Sequence, residues 1–365
     1  MSSVREIAEQ AGVSITTVSR ALNNDNTVNP KTRERVLAVA NRFGYVATVG
    51  RRNTTNLGFV YLGEQTINHP YDCAVLAGVA QGVDECRFDV VVLDLRRDKR
   101  TDETYSQFFM RKGVRGVIIR TMAESRDICR DIAKEGFPHI VISERFEDDS
   151  VCCIDCESKS DSRRAVEYLI ALGHRRIAFA VHNVPDRDHN DRLEGYREAL
   201  ANHDLDFRDD WVFRHQYTLA GGETVMKMIA SMPERPTAVY IADPMMGVGA
   251  VRMAHELGLN IPNDISIIGF DDTELRFSVY PTLTAVCQDA YTIGFEAALL
   301  LTRMIRDGAV RKGLQKSLPT FFEVHDSTGP PPAQTAPVLS LARHRAVAPR
   351  PAGARNGDGA LHEKR

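Results

Sequence analysis

The chain has 365 residues, 43% of them hydrophobic and 26% charged; this balance excludes a wholly disordered protein and leaves room for two or three domains with cores of their own. No apolar run reaches the ~18 residues that a membrane span needs, and the opening MSSVREIAEQ carries charge where an export signal needs an apolar stretch, so a cytoplasmic protein without a membrane anchor is expected. The net charge of −3 hides a division, with +4 in residues 1–56, +4 in residues 327–365 and −11 between them, which points to one local polyanion contact through a basic head on an acidic body.

In chain order, Ser3-Val4-Arg5-Glu6 fits a capping box, with Val4, Ile7, Ala8 and Ala11 at helical spacing behind it. Gly12 ends this first helix, Ser14 caps a second, and Val18, Ala21 and Leu22 give the second an apolar stripe barely two turns long. A third helix is signalled by Asn29 as cap, Pro30 at the first helical position, Val36, Leu37, Ala40 and Phe43 on one face, and Gly44 as stop. Three short helices with a tight glycine turn between the first two make a helix-turn-helix head over residues 1–46.

The second helix is unusually polar outside its stripe, and its geometry says what for. At about 100° per residue from Val18, Leu22 and Ala21 flank the core direction while Thr16 and Arg20 point almost directly away from it. Arginine pairs bidentately with a guanine edge, threonine bonds or packs on a base, and the hydroxyls of Ser14, Thr17 and Ser19 lie at the sides where phosphates run. Ile15 falls near the core edge, as either a buried staple or an apolar contact to a base.

From residue 57 the pattern changes. The runs LGFVYL (57–62), DVVVLDL (89–95), GVIIR (116–120), HIVIS (139–143), RIAFAV (176–181), TAVYIA (237–242) and ISIIGF (265–270) are nearly continuous apolar strands. Each is followed by ten or more residues of helical pattern, the mark of buried parallel sheets with crossover helices. The body, residues 57–328, is therefore expected to be α/β and to split into two units with a cleft between them. The seven cysteines are odd in number and irregularly spaced; Cys152-Cys153-x-x-Cys156 lacks a second ligand pair at metal-site spacing, so reduced thiols and no metal or cofactor are expected. Residues 329–365, opening GPPPAQTAP and continuing without period, read as a disordered tail, and no heptad repeat supports a coiled coil.

The stretches AGVSITTVSRALNN, VNPKTRERVLAVANRFGY, LGHRRIAF and IPNDISIIGFDD, supported by RLEGY, YPTLTAVCQD and DSTGPP, resemble the lactose/galactose-repressor (LacI-type) family of transcription regulators over residues 3–329. The resemblance implies a DNA-binding head, a hinge, and a two-lobed core like the periplasmic sugar-binding proteins that dimerises and holds a small effector in its cleft. Residue by residue it places Ile15, Thr16 and Arg20 at base-reading positions. Ser14, Thr17, Ser19, Asn23, Asn29 and Thr32 fall where phosphates are held. Tyr71, Arg192, Tyr217, Asp243, Asp271 and Gln288 fall at effector-contact positions. Carboxylates and arginine suit the vicinal hydroxyls of a sugar, and an aromatic face suits its C–H face. Plainer roles stay open: Asp271 and Asp272 could cap the turn after their strand, Tyr71 and Tyr217 could be core, and Arg192 could pair with a nearby carboxylate.

The chain departs from the family pattern at the hinge, residues 47–56. There Ala47, Thr48, Arg51 and Thr54 stand where the pattern has Pro, Asn, Ala and Leu, and the segment is shorter. The leucine of such hinges wedges into the minor groove; with Thr54 in its place, a hinge that contacts phosphates through Arg51 and Arg52 without intercalating is expected. Ala242-Asp243 and Asp72 also differ from the pattern, which alters the usual hexose contacts.

The function expected is that of a sequence-specific regulator, a repressor that binds a palindromic operator as a homodimer and responds to a sugar-like effector. A transport-type sugar receptor on the same core is the alternative, opposed by the basic head and the absence of an export signal. An enzyme is opposed by the lack of a dinucleotide or phosphate loop and of a nucleophile elbow; His69, His174 and His255 are scattered and read as structural.

Overall fold

A computed structural model describes residues 4–22, 25, 27–42, 54–62, 69–121, 125–147, 149–183, 186–308 and 313–333. In the head, α1 (Val4–Ala11), α2 (Ile15–Leu22) and α3 (Pro30–Arg42) pack around Ile7, Ala8, Ala11, Val18, Ala21, Val28, Val36 and Ala40. Eight-residue helices such as α1 and α2 are marginal by themselves, so this shared core is what holds them. The turn between them needs Gly12, whose φ of +62° few side chains adopt. Ser14 Oγ accepts from the Thr17 amide at 3.1 Å, and Asn29 Oδ1 accepts from the Lys31 amide at 2.9 Å; both expected caps form. Ser3, Phe43, Gly44 and residues 47–53 of the hinge lie outside the described residues.

The body is two lobes, each a twisted six-stranded sheet between helices. Lobe 1 has β1 (Asn56–Tyr61), β2 (Asp89–Asp94), β3 (Val117–Arg120), β4 (His139–Ile142), β5 (Cys153–Glu157) and β11 (Gln315–Pro319), all parallel in the order β11-β5-β4-β3-β1-β2. Its helices are α4 (Pro70–Cys86), α5 (Leu95–Asp98), α6 (Tyr105–Arg111), α7 (Arg126–Lys134) and α12 (Ala290–Asp307). Lobe 2 has β6 (Ile177–His182), β7 (Val212–His215), β8 (Ala238–Ile241), β9 (Ser266–Asp271), β10 (Thr284–Cys287) and β12 (Phe321–Glu323), in the order β12-β10-β9-β8-β6-β7 with β12 antiparallel. Helices α8 (Lys159–Ala171), α9 (Arg187–Asn202), α10 (Leu219–Ser231) and α11 (Pro244–Glu256) flank it.

All seven expected strands form. The five that the sequence did not announce are β5, β7, β10, β11 and β12; polar residues interrupt most of them, as in CIDCE and QKSLP, so no continuous apolar run stands out. Two connections differ from the expected pattern of long crossover helices. After β2 come only the short helices α5 and α6, and β4 runs through a loop to β5 without a helix. In β5 the side chains alternate, so Cys153 packs on one face of the sheet while Cys152 and Cys156 join the core on the other. At the start of the expected tail, Gly329 exchanges hydrogen bonds with Ser266 and its carbonyl accepts from His174, which pins it to lobe 2. Residues 334–365 lie outside the described residues.

The chain passes between lobes three times, from β5 to α8, from β10 to α12 and from β11 to β12. Thr320, on the third crossing, donates to the Glu157 carbonyl at 3.1 Å and lies 2.7 Å from Asp161 Oδ2 on the first. Cys156 Sγ donates to Gln288 Oε1 at 2.6 Å, joining the first crossing to the second. Helices α4 and α12 cross so closely that a Cβ on Gly294 would stand 2.0 Å from the Val75 carbonyl oxygen. Among the described residues no helix is long and apolar enough to cross a membrane.

Candidate DNA-binding face and effector cleft

On the head, α2 turns Val18 and Ala21 into the core and leaves Ser14, Ile15, Thr16 and Arg20 exposed. Ile15 is 48% exposed, which removes the buried-staple reading; a large apolar side chain held out of a small core is suited to a base edge. Among the described residues the Arg20 guanidinium is tied only by a 3.9 Å approach to Asp25. Thr17 and Ser19 lie at the margin of the exposed face, and Ser14 Oγ is 2.9 Å from Thr17 Oγ1. Asn29 is exposed and Thr32 half-buried at the start of α3. Arg33 braces the turn between α2 and α3 through the Asp25 carbonyl at 2.6 Å. Asn23, Arg51 and Arg52 lie outside the described residues.

The cleft between the lobes is built from the carboxyl ends of parallel strands and the first turns of α4, α9 and α11, where open α/β sheets bind ligands. On the lobe 1 side Tyr71 enters from α4, buried, its hydroxyl 2.6 Å from Ser143 Oγ. Arg120, at the end of β3, lies over the Tyr71 ring and donates to Asp72 at 2.7 Å. Asp72, which replaces an aromatic of the family pattern, is thus the counterion of a buried arginine.

On the lobe 2 side Asp243 caps α11 by accepting from the Met246 amide at 2.9 Å, and its other oxygen is 3.6 Å from His69 Nε2 across the cleft. Burial works against a charged His69, but Asp243 outweighs it and raises the imidazole above its ordinary value. Tyr217 stands edge-on to both His69 and His182, with ring centroids 5.2 and 4.4 Å away. Burial, with the neighbouring His189, pushes His182 down to about 4, so it is neutral at physiological pH. Asp186 accepts from the His189 ring at 2.7 Å; burial opposes its ionisation, yet His189 holds the carboxyl well below its ordinary value.

Arg192 is 4% exposed, stacks on Phe270 at 3.5 Å and donates to the Ala242 carbonyl at 2.7 Å. Asp188, one turn earlier on the same face of α9, is pushed up to about 7 by burial and then by the Asp186 charge. Gln288 donates to Asp272, whose carboxyl burial lifts to about 6. Asp271, the effector contact expected in GFDD, is engaged elsewhere. It accepts from the Thr273 and Arg276 amides and pairs with the Arg276 guanidinium at 2.8 Å, which in turn bonds Glu323. The capping role is the one that the structure gives it, and the next residue, Asp272, turns to Gln288, because successive side chains leaving a strand point opposite ways.

A second bridge closes the rim: Arg145 of lobe 1 bonds Asp155 and reaches Asp191 of α9 at 2.9 Å. Among the described residues no group of His, Cys, Asp or Glu is placed to hold a metal.

Residues 3–48 match the model of bacterial regulatory proteins, lacI family, and residues 166–328 that of a periplasmic binding protein-like domain. The chain belongs to the LacI family. Within it, the NTD biosynthesis operon regulator NtdR of Bacillus subtilis (strain 168) is 28% identical over 332 residues, 90% of this chain and all of that protein. Among solved structures, the transcriptional regulator CelR–cellobiose complex superposes with a TM-score of 0.64 at 26% identity, over 90% of this chain and all of that one. A LacI family transcriptional regulator from Enterococcus faecium with bound ribose gives 0.66 at 25% identity, over 75% of this chain and 99% of that one.

Against that family background, His69, His182, Asp186, Asp188, Arg120 and Asp272 are cleft residues that sequence reasoning passed over. His69 was expected to be structural, but its place at the start of α4 sets it across the cleft from Asp243. His174 is structural as expected, bonded to Thr237, Ser266 and Gly329. For Asp186 and Asp188 the signal available was the density of His and Asp in DRDHNDRLEGY, which forms the N-cap and first turns of α9.

Proposed function

We propose that this LacI-family chain is a transcriptional repressor that works as a homodimer in the cytoplasm, reads a palindromic DNA operator through α2, and is controlled by a polyhydroxylated effector in the cleft. The observation that carries this is the outer face of α2. Thr16 and Arg20 project opposite the buried Val18 and Ala21, with Ile15 exposed at the edge of the same face, on a segment with a net charge of +4. In this reading Ser14, Thr17, Ser19, Asn23, Asn29 and Thr32 hold phosphates, as do Arg51 and Arg52 in a hinge that does not intercalate. One helix of two turns reads only a few base pairs, so two heads related by a two-fold axis are required for a specific site.

The functional division is a head over 1–46, a short hinge over 47–56 and an effector-binding, dimerising core over 57–328. Tyr71, Arg192, Tyr217, Asp243 and Gln288 contact the effector, with Asp272 in the place expected for Asp271. Similar regulators whose solved structures hold cellobiose and ribose support a sugar-like ligand. A ligand bridging the lobes replaces or reinforces the His69–Asp243 and Arg145–Asp191 ties, so it favours one opening angle and one placement of the heads. Linkage then requires operator DNA to change effector affinity by the same factor. The cleft serves binding and not catalysis.

Selection of bound sequences from a random duplex pool by the full-length chain tests this reading. A palindromic consensus with strongly salt-dependent affinity is expected; enrichment of no sequence, with or without sugars, refutes it.

A further inference from the structure

The cleft holds more carboxylate than its own cations balance. Asp72 is spent on Arg120, Asp186 on His189, and Asp243 on His69 and the first turn of α11. Asp188 and Asp272 are left. Asp272 accepts from the neutral amide of Gln288. Among the described residues Oδ1 of Asp188 has no hydrogen-bond partner, although the residue is only 9% exposed. Arg192 lies within electrostatic reach of both carboxylates, but its head is turned to the Ala242 carbonyl and the face of Phe270, and its Nε is itself without a partner. Asp188 and Arg192 share one face of α9, so a buried acceptor and a buried donor stand open one turn apart in the same cleft. Such groups are satisfied in nearly all proteins, and here a ligand is the missing partner.

The charge of that ligand follows from the surroundings. A neutral hydroxyl satisfies Arg192 Nε but leaves two buried carboxyls, Asp188 and Asp272, to share the single charge of Arg192, so ionising both is costly. We propose that the effector is a polyhydroxylated molecule that carries a protonated amino group, with the ammonium donating to Asp188 and Asp272 and hydroxyl oxygens accepting from Arg192. The proposal rests on the cleft being the effector site, and it adds the chemical class. Burial lifts Asp188 to about 7 and Asp272 to about 6. The groups that face Asp188 are Asp186 at the N-cap of α9, His189 and Arg192 of α9, Arg120 from the end of β3, Tyr71 of α4 and Cys156 of β5, and Asp186 raises it further. An ammonium returns both carboxyls to the ionised form, so binding near neutral pH releases protons from the protein.

Titration calorimetry on the full-length chain with glucosamine, glucose and N-acetylglucosamine tests this. Glucosamine is expected to bind at least about tenfold more tightly than either analogue near pH 7.5, the effect of one charge-assisted hydrogen bond. Its preference is expected to shrink toward about pH 5 as Asp188 and Asp272 protonate, and its enthalpy to depend on the buffer through proton release. Asp188→Asn is expected to bring the three affinities within about threefold of one another; the pH series on the unaltered chain makes the same distinction should that variant fail to fold. Equal or tighter binding of glucose or N-acetylglucosamine overturns the proposal. So does the absence of glucosamine binding at about 10 mM in a chain that still binds its selected operator. A chain that binds no operator at all fails the regulator reading instead.

Discussion

Arg192→Met removes one buried cation from the cleft while keeping the length and apolar stem of the side chain, and its cost should depend on pH. In the intact protein the guanidinium donates to the Ala242 carbonyl at 2.7 Å, stacks on Phe270 and lies within electrostatic reach of Asp188 and Asp272. At about pH 5 both carboxyls are largely protonated, so the loss is one buried hydrogen bond and one cation–π contact, about 2 kcal/mol in all. At about pH 8 the two carboxyls are ionised, and without Arg192 they become buried anions beside Asp186 and Asp243; a further ~3 kcal/mol is expected, the usual scale for a buried charge stripped of its partner.

The sign follows from the folded-state values of about 7 and about 6, raised above the ordinary aspartate value. Stability from such groups is fully present below the unfolded value near 4 and is lost as pH rises through the folded values. The variant lifts those values further, so its unfolding free energy should fall away from that of the parent between about pH 5 and pH 8. Urea unfolding followed by the fluorescence of the only tryptophan, Trp211, reports on lobe 2 itself, where Arg192 lies. An equal loss at both pH values would refute the electrostatic argument and leave Arg192 as a packing residue.

Three further outcomes are expected. Arg20→Ala should relax discrimination at one base pair of the operator half-site by about 1–3 kcal/mol while leaving the salt dependence nearly intact, read by competition between single-substituted duplexes. Gly294→Ala should destabilise lobe 1 by roughly 2–4 kcal/mol, because the new methyl meets the Val75 carbonyl at 2.0 Å and the two helices must part; a melting temperature within about a degree of the parent would contradict the close crossing of α4 and α12. Asp271→Ala should lower stability through the lost cap and Arg276 pair yet keep effector affinity within a few-fold, whereas Asp272→Ala should lose about tenfold or more in affinity, both by calorimetry with the ligand that binds. The reverse order would restore Asp271 to the cleft.

Much of this protein was fixed by local pattern. Gly12, Ser14, Asn29 and Pro30 mark the ends of the head helices because turn and cap chemistry acts within a few residues, and the wheel of α2 exposed Thr16 and Arg20 because a helix of known pitch needs no partner to have two sides. Ile15, near the boundary of that wheel, needed the packed head to decide it. Seven strands, four-residue β3, β4 and β8 among them, were legible because burial on both faces leaves a continuous apolar run. β5, β7, β10, β11 and β12 were not, since polar residues interrupt most of them and their pairing comes from lobes already formed.

The cleft divides the same way. Arginine, tyrosine and aspartate positions could be named from the order of motifs along the chain, but which carboxylate faces which cation depends on residues brought together from remote segments. His69 and Asp243 are 174 positions apart in the chain and 3.6 Å apart in space; Cys156 and Gln288 are 132 apart and in contact. Asp271 and Asp272 are adjacent and chemically identical, and only the placement of Arg276 and Gln288 separates a structural cap from a binding group. Sequence by itself therefore determined the elements, the two-lobed plan and the reading face of the head, all consequences of local periodicity. The burial of Asp188, its missing partner and the resulting charge of the cleft were decided by tertiary structure alone, because desolvation and charge pairing are properties of neighbours in space.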